Sequence, residues 1–276
     1  MPQPASPARS VRDGVLAWLD WYERMGVVDA VADPGDPTAL PPDLAPEPPP
    51  AVAPASAPAR RESDRVAHAR AVAAGCATLV ELEQALAAFE GCPLRETATK
   101  LCFADGAPDA PLMIIGEAPG AEEDRQGRPF VGPSGQLLDK MLAAIGLNRT
   151  QVWITNILFW RPPGNRPPTT IEVATCQPFL ERQIELLAPR LILFVGGIAA
   201  RALLDAGEGV TKLRGRRYLY HPPGGSGPIP AHVTFHPAYL LRQPLQKRLA
   251  WRDLLNLRRA LDEALSAESA TGGPPM

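Results

Sequence analysis

Four apolar runs punctuate the second half of the chain: PLMIIG at 111–116, VWITN at 152–156, RLILFVGG at 190–197 and AHVTFHP at 231–237. Each closes on glycine or polar residues, and segments of helical periodicity separate them. Strands alternating with helices predict a parallel sheet covered on both faces. The expected fold is α/β, with four parallel strands at its centre. In open parallel sheets the carboxyl ends of the strands border the crevice that binds ligands. Glu117, Asn156, Gly196 with Gly197, and His236 are therefore expected to converge on one place.

Upstream the pattern changes. Val11, Val15, Trp18, Leu19 and Tyr22 recur at helical spacing within Ser10 to Val27, which predicts one short amphipathic helix in an arm at 1–31. From Ala32 to Ala59 proline, alanine and acids dominate, too little apolar surface to fold on. A disordered linker is expected at 32–64, a second helix from about Arg65 to Phe89, the folded domain at 65–265, and a disordered tail at 266–276.

Composition agrees with one substantial core plus a poorly ordered arm: 276 residues, 45% apolar, with 33 prolines concentrated toward the N-terminus. No run approaches the roughly 20 apolar residues that cross a bilayer, and no signal pattern opens the chain. The reading is a cytoplasmic protein with no membrane partner. In that compartment Cys76, Cys92, Cys102 and Cys176 are expected as buried thiols or metal ligands, not disulfides. The net charge of −2 is unevenly placed. Residues 1–64 carry five basic and ten acidic side chains, whereas residues 190–260 carry twelve basic and three acidic, a balance of +9. Such a basic third is either a nucleic-acid footprint or a set of solvated arginines on amphipathic helices.

The stretch GEAPGAEEDRQGRPFVG, 116–132, holds four glycines, four carboxylates and one phenylalanine directly after an apolar strand. Gly116 and Gly120 let the loop turn tightly over the crevice, and Phe130 can wall a planar ligand. Taken singly, Glu117 could be a turn residue, Asn156 a loop former and His236 a satisfied histidine. Together at equivalent strand ends they offer a carboxylate, an amide edge and an imidazole.

That stretch, TN followed by RPPGNRPPT, and HPAYLLRQP resemble in order and spacing the three motifs of family 4 uracil-DNA glycosylases, over about Phe89 to Leu261. The resemblance implies a three-layer α/β/α sandwich around a central parallel four-stranded sheet, and uracil removal from DNA at the start of base-excision repair. It places Gly116, Ala118, Glu123, Phe130, Asn156 and His236 around a flipped uracil, with Phe130 stacking, Asn156 reading O4 and N3–H, and His236 donating to O2. Glu117 would orient water at the sugar. Glu123 would face the C5 edge, unless it caps the following turn with Glu122 and Asp124. Leu240 is a wedge into DNA or ordinary core, and Arg242, Lys247 and Arg248 are expected phosphate contacts.

Two other readings of the site stand beside this one: a damaged-base binder that turns over slowly, and a glycosylase of broader specificity. Members of the resembled family hold a [4Fe–4S] cluster at positions that here are Phe89, Cys92, Trp160 and Cys176. Two ligands are replaced by aromatics that cannot coordinate iron. The expectation is a chain without the cluster, the two rings packing in its place, with Cys102 as an alternative ligand. Uracil-containing DNA is the expected partner of a monomer, and the N-terminal arm a docking element for a repair or replication protein.

Overall fold

The computed structural model describes residues 57–204, 207–225 and 227–271. The predicted arm at 1–31, and the linker up to residue 56, lie outside them. Helix α1 spans Ala57–Ala74 and α2 Leu79–Ala88. One helix from Arg65 to Phe89 was expected; the structure has two, and the first begins eight residues earlier, inside the expected linker. The break falls at Gly75, and Thr78 restarts the chain by accepting from Glu81 N–H at 3.1 Å. A serine or threonine oxygen satisfies a donor that the first turn leaves free.

The remaining elements run in order: α3 Leu94–Thr97, β1 Asp105–Gly106, β2 Leu112–Gly116, α4 Ala121–Gln126, α5 Pro133–Ala143, β3 Val152–Asn156, α6 Thr170–Leu187, β4 Leu191–Val195, α7 Gly197–Leu204, α8 Val210–Leu213, β5 Arg217–Tyr220, β6 Ile229–Thr234, α9 Pro237–Arg242 and α10 Lys247–Thr271. Short 3₁₀ turns occupy Arg149–Gln151, Pro163–Asn165 and Pro244–Gln246. Helix α10 reaches Thr271, beyond the expected start of a disordered tail at 266.

The sheet order is β1-β3-β2-β4-β6-β5. Its centre, β3-β2-β4-β6, is the expected parallel set of four. Short antiparallel strands β1 and β5 extend it at each edge, making six. Sequence missed them because DG, two residues, and RYLY, four, are too short to stand out as strands.

Alternation along the strands builds the two covering layers. Met113 and Ile115 of β2, with Ile192 and Phe194 of β4, enter one core with α1, α2 and α6. Leu112 and Ile114, with Leu191, Leu193 and Val195, enter the opposite core with α5 and α10. Successive side chains on a strand point to opposite faces, so strands apolar at every position must be covered twice. All five residues of β2, β3 and β4 are buried.

Candidate active site

Register brings the strand ends together. Gly116 pairs with Asn156 across β2 and β3, and past that pair Ile157 N–H donates to Gly116 O at 3.0 Å and Leu158 N–H to Glu117 O at 3.1 Å. On the other side Gly196 N–H donates to Thr234 O at 3.0 Å, which sets the end of β4 beside the segment leading to His236. A Cβ placed on Gly196 would lie 3.3 Å from His236 Cβ. The expected convergence of Glu117, Asn156, Gly196 and His236 is therefore present. A cleft of about 560 Å³ opens there, lined by Glu117, Ala118, Glu123, Phe130, His236 and Arg242 among others.

Phe130 and His236 face each other with ring centroids 5.7 Å apart and planes inclined by 32°. Asn156 sits behind this pair, 1% exposed. Its Oδ1 is buried with no hydrogen-bond partner. A Cβ on Gly116 would lie 2.4 Å from that oxygen and 2.4 Å from Phe130 Cζ, so only glycine lets the amide and the ring share this corner. A buried amide oxygen without a partner costs free energy comparable to a lost hydrogen bond. Where such a group persists beside a cleft, a ligand donor is the economical explanation.

His236 is the N-cap of α9, and its Nδ1 accepts from Ala238 N–H at 3.1 Å. That bond places the ring proton on Nε2, because the neutral imidazole has one donor and one acceptor. Burial, reinforced by the positive charge of Arg242, lowers its pKa to about 4. The residue is a neutral hydrogen-bond donor across the physiological range. Its strand is anchored from behind: Asp253 accepts from Thr234 Oγ1 at 2.9 Å and from Arg214 at 2.6 Å, and the Arg214 guanidinium lies 5.2 Å from the Phe235 ring centroid. Burial pushes the Glu117 carboxyl above its ordinary value, opposed by the charge of Arg201.

The three adjacent acids separate by function. Glu122 pairs with Arg125 on the surface. Asp124 accepts from Thr99 and Lys100 N–H at 2.7 and 3.2 Å. Glu123, 8% exposed, accepts from Gly120, Val131 and Gly132 N–H at 3.1, 2.9 and 2.8 Å. Glu123 reaches the cleft, but its oxygens hold the loop closed. The capping alternative describes its bonds better than a place at a base edge.

Of the two readings of Leu240, the structure favours ordinary core: it is 1% exposed and packs with α5 and α10. On the same segment Leu245 is 90% exposed and stands at the 3₁₀ turn before α10. The LLRQPL spacing could have found it: Pro244 ends the α9 pattern and leaves the next leucine without a helical face. Arg242 lines the cleft, and Lys247 and Arg248 are exposed at the start of α10. Ser134, Asn165 and Arg166 also border the cleft, positions that sequence reasoning did not single out.

The four positions of the resembled cluster site do not form a donor set. Phe89 packs on Phe179 and His68 with centroids 5.1 and 5.4 Å apart, and Trp160 is 3% exposed in the same core. Cys176 Sγ–H donates to Cys92 Sγ at 3.9 Å. That bond holds the Cys92 thiol below its ordinary value and, with burial, raises Cys176 well above it. Cys102 turns elsewhere, donating to Glu123 O at 3.1 Å. Among the described residues no group of three or more His, Cys, Asp or Glu side chains is placed to hold a metal ion. Two thiols, a phenyl ring and an indole, neither ring able to ligate iron, do not fit a [4Fe–4S] cluster, which takes four thiolates or close substitutes.

A twice-covered, centrally parallel sheet whose strand tips gather a carboxylate, a carboxamide and an imidazole against an aromatic ring defines an α/β protein with a polar cleft at its strand ends. Comparison with known proteins gives that class its family. Residues 103–256 match the Uracil DNA glycosylase superfamily. The chain is 36% identical over 186 residues to the type-4 uracil-DNA glycosylase of Sulfurisphaera tokodaii, covering 66% of this chain and 84% of that protein. It is 38% identical over 180 residues to that of Pyrobaculum aerophilum, covering 64% and 91%, and 42% identical over 152 residues to that of Thermotoga maritima, covering 55% and 77%. The chain belongs to the uracil DNA glycosylase superfamily, and type-4 enzymes are among the relatives it resembles.

Proposed function

We propose that this chain removes uracil from DNA by hydrolysing the N-glycosidic bond, the opening step of base-excision repair. The observation that carries the reading is the unpartnered Oδ1 of Asn156, buried beside Phe130 and within the same strand-end cluster as a neutral His236. An extruded uracil offers N3–H to that oxygen and O4 to the Asn156 amide N–H. Cytosine presents the reversed pair and leaves buried groups unmatched. A site built to hydrogen-bond its substrate can reject such an analogue by about 10⁴.

Breaking the bond leaves negative charge on the base and positive charge on the sugar. His236 Nε2–H, fixed by the Nδ1 bond to Ala238, donates to the developing oxyanion at O2 without first losing a proton. Its low pKa keeps it in that neutral donor state. Glu117 holds water, and its carboxylate favours the cationic sugar. Phe130 stacks on the base. Leu245 fills the vacated stack, and Arg242, Lys247 and Arg248 meet phosphates, so affinity falls steeply with salt.

Uracil-containing oligonucleotide is the test. The expected result is alkali-labile scission at the uracil; a stable complex without scission refutes hydrolysis and leaves a binder. We further propose that the chain works without a [4Fe–4S] cluster, because its donor set fails among the described residues. Iron at about four atoms per chain in pure, active protein would overturn that, given the four irons such a cluster contains.

A further inference from the structure

We propose that Arg149, remote from the reacting atoms, is a positioning residue that holds the Phe130 ring in its stacking place. The inference rests on the reading of Phe130 as the base-stacking wall. Phe130 has φ of 52°, in the left-handed region that side chains with a Cβ avoid. Nothing local in GRPFVG favours that conformation for phenylalanine, so its surroundings must impose it.

The guanidinium of Arg149 supplies the constraint. It donates to Phe130 O, to Pro129 O at 3.2 Å, to Asp105 Oδ2 at 2.7 Å and to Asp139 Oδ1 at 2.7 Å. Two successive carbonyls of the loop are therefore drawn onto one planar cation. The following two amides, Val131 and Gly132, donate in turn to Glu123. From a third side the first turn of α5 presses on the same peptide: a Cβ on Gly135 would lie 1.7 Å from Phe130 O. The Phe130 peptide is trapped between a cation, a carboxylate and a helix, and its ring is aimed at His236.

Charge explains why this arginine is a strut and not a phosphate contact. Asp105 and Asp139 neutralise it, and its side chain is 20% exposed. The rigid fork of five donors also makes lysine a poor replacement, since one ammonium cannot span two carbonyls and two carboxylates. Arg149 stands in the 3₁₀ turn that leads into β3, the strand ending at Asn156. The element that supplies the base-reading amide thus also fixes the stacking ring.

The test is a double-mutant cycle with Arg149→Lys, Arg149→Gln and Phe130→Leu, read as single-turnover uracil release. Displacement of a reacting group by about 1 Å costs about 10²-fold, so Arg149→Lys should lose roughly 10- to 100-fold, with affinity for undamaged DNA unchanged. In the Phe130→Leu background the same change should cost less than about threefold, because the ring it positions is gone. Equal losses in both backgrounds overturn the proposal. A second measurement does not depend on activity: amide exchange across 129–132 in Arg149→Lys should rise about tenfold or more while the sheet strands stay protected. Unchanged exchange there overturns the latch even where activity falls. Absence of uracil release by the unaltered protein would instead sink the glycosylase reading, leaving the exchange experiment to decide the latch.

Discussion

Replacing Gly116 by alanine adds one methyl group where β2 meets the cleft, and the structure sets what that methyl must displace. Its carbon would lie 2.4 Å from Asn156 Oδ1, 2.4 Å from Phe130 Cζ and 2.6 Å from Phe130 Cε2. Ordinary contact begins near 3.4 Å. The amide and the ring must each retreat by about 1 Å, or β2 must shift. Phe130 is pinned through its backbone, so most of the movement falls on the Asn156 amide, the group that reads the base. Overpacking of this kind costs about 1–3 kcal/mol, a fall of several degrees in Tm for a domain of this size. The effect on chemistry should be larger, about 10² in kcat/KM, since the two recognition groups leave their productive geometry. The assay pairs single-turnover uracil release with thermal melting and with binding to undamaged DNA, which should not change. A Gly116→Ala protein within about threefold of the original kcat/KM would refute the corner as the place where the base is read.

Asn156→Asp should cut the preference for uracil over cytosine at least about tenfold, because a carboxylate puts an acceptor where the amide N–H met O4 of uracil; the ratio of release rates from matched oligonucleotides checks it. His236→Ala should slow the chemical step by about 10² to 10³ with DNA affinity retained, and equal loss of both would make the residue structural. The folded pKa of His236 is depressed to about 4 from an ordinary 6.5, so the unfolded chain takes up the proton first. The stability held by the neutral ring is complete above pH 6.5 and is lost as pH falls to 4, amounting to at most about 3 kcal/mol. Denaturation at pH 7 and 4.5 should show this, and the rate profile should lack an inflection at 6.5. Its acid limb should instead follow Glu117, raised above the ordinary carboxylate range by burial. Leu245→Ala should lower activity on duplex DNA by roughly tenfold without affecting Tm, while Leu240→Ala should cost about 2–5 kcal/mol of stability. The opposite assignment would restore Leu240 as the wedge.

Much of this molecule is legible one residue at a time. The runs PLMIIG and RLILFVGG had to be strands of a twice-covered sheet, since residues apolar at nearly every position cannot leave one face in water. The polar ends of parallel strands gather at one edge, which is why Glu117, Asn156 and His236 were expected together. Set against the resembled family, the sequence also shows aromatic rings at two of four cluster positions. What it left open were choices made by packing and by distant bonds. Leu240 and Leu245 are the same residue type five positions apart, and only the fit of α9 against α5 and α10 buries the first and exposes the second. Glu123 could have faced a base or capped a turn; the local amide of Gly120 and two amides of the returning loop, Val131 and Gly132, take up its oxygens, which favours the cap. The left-handed twist of Phe130 and the arginine that imposes it are invisible to local pattern, because the constraint acts across 19 residues of chain. Periodicity records which side chains must leave water, whereas the partners of each polar group depend on where the folded chain brings its distant segments.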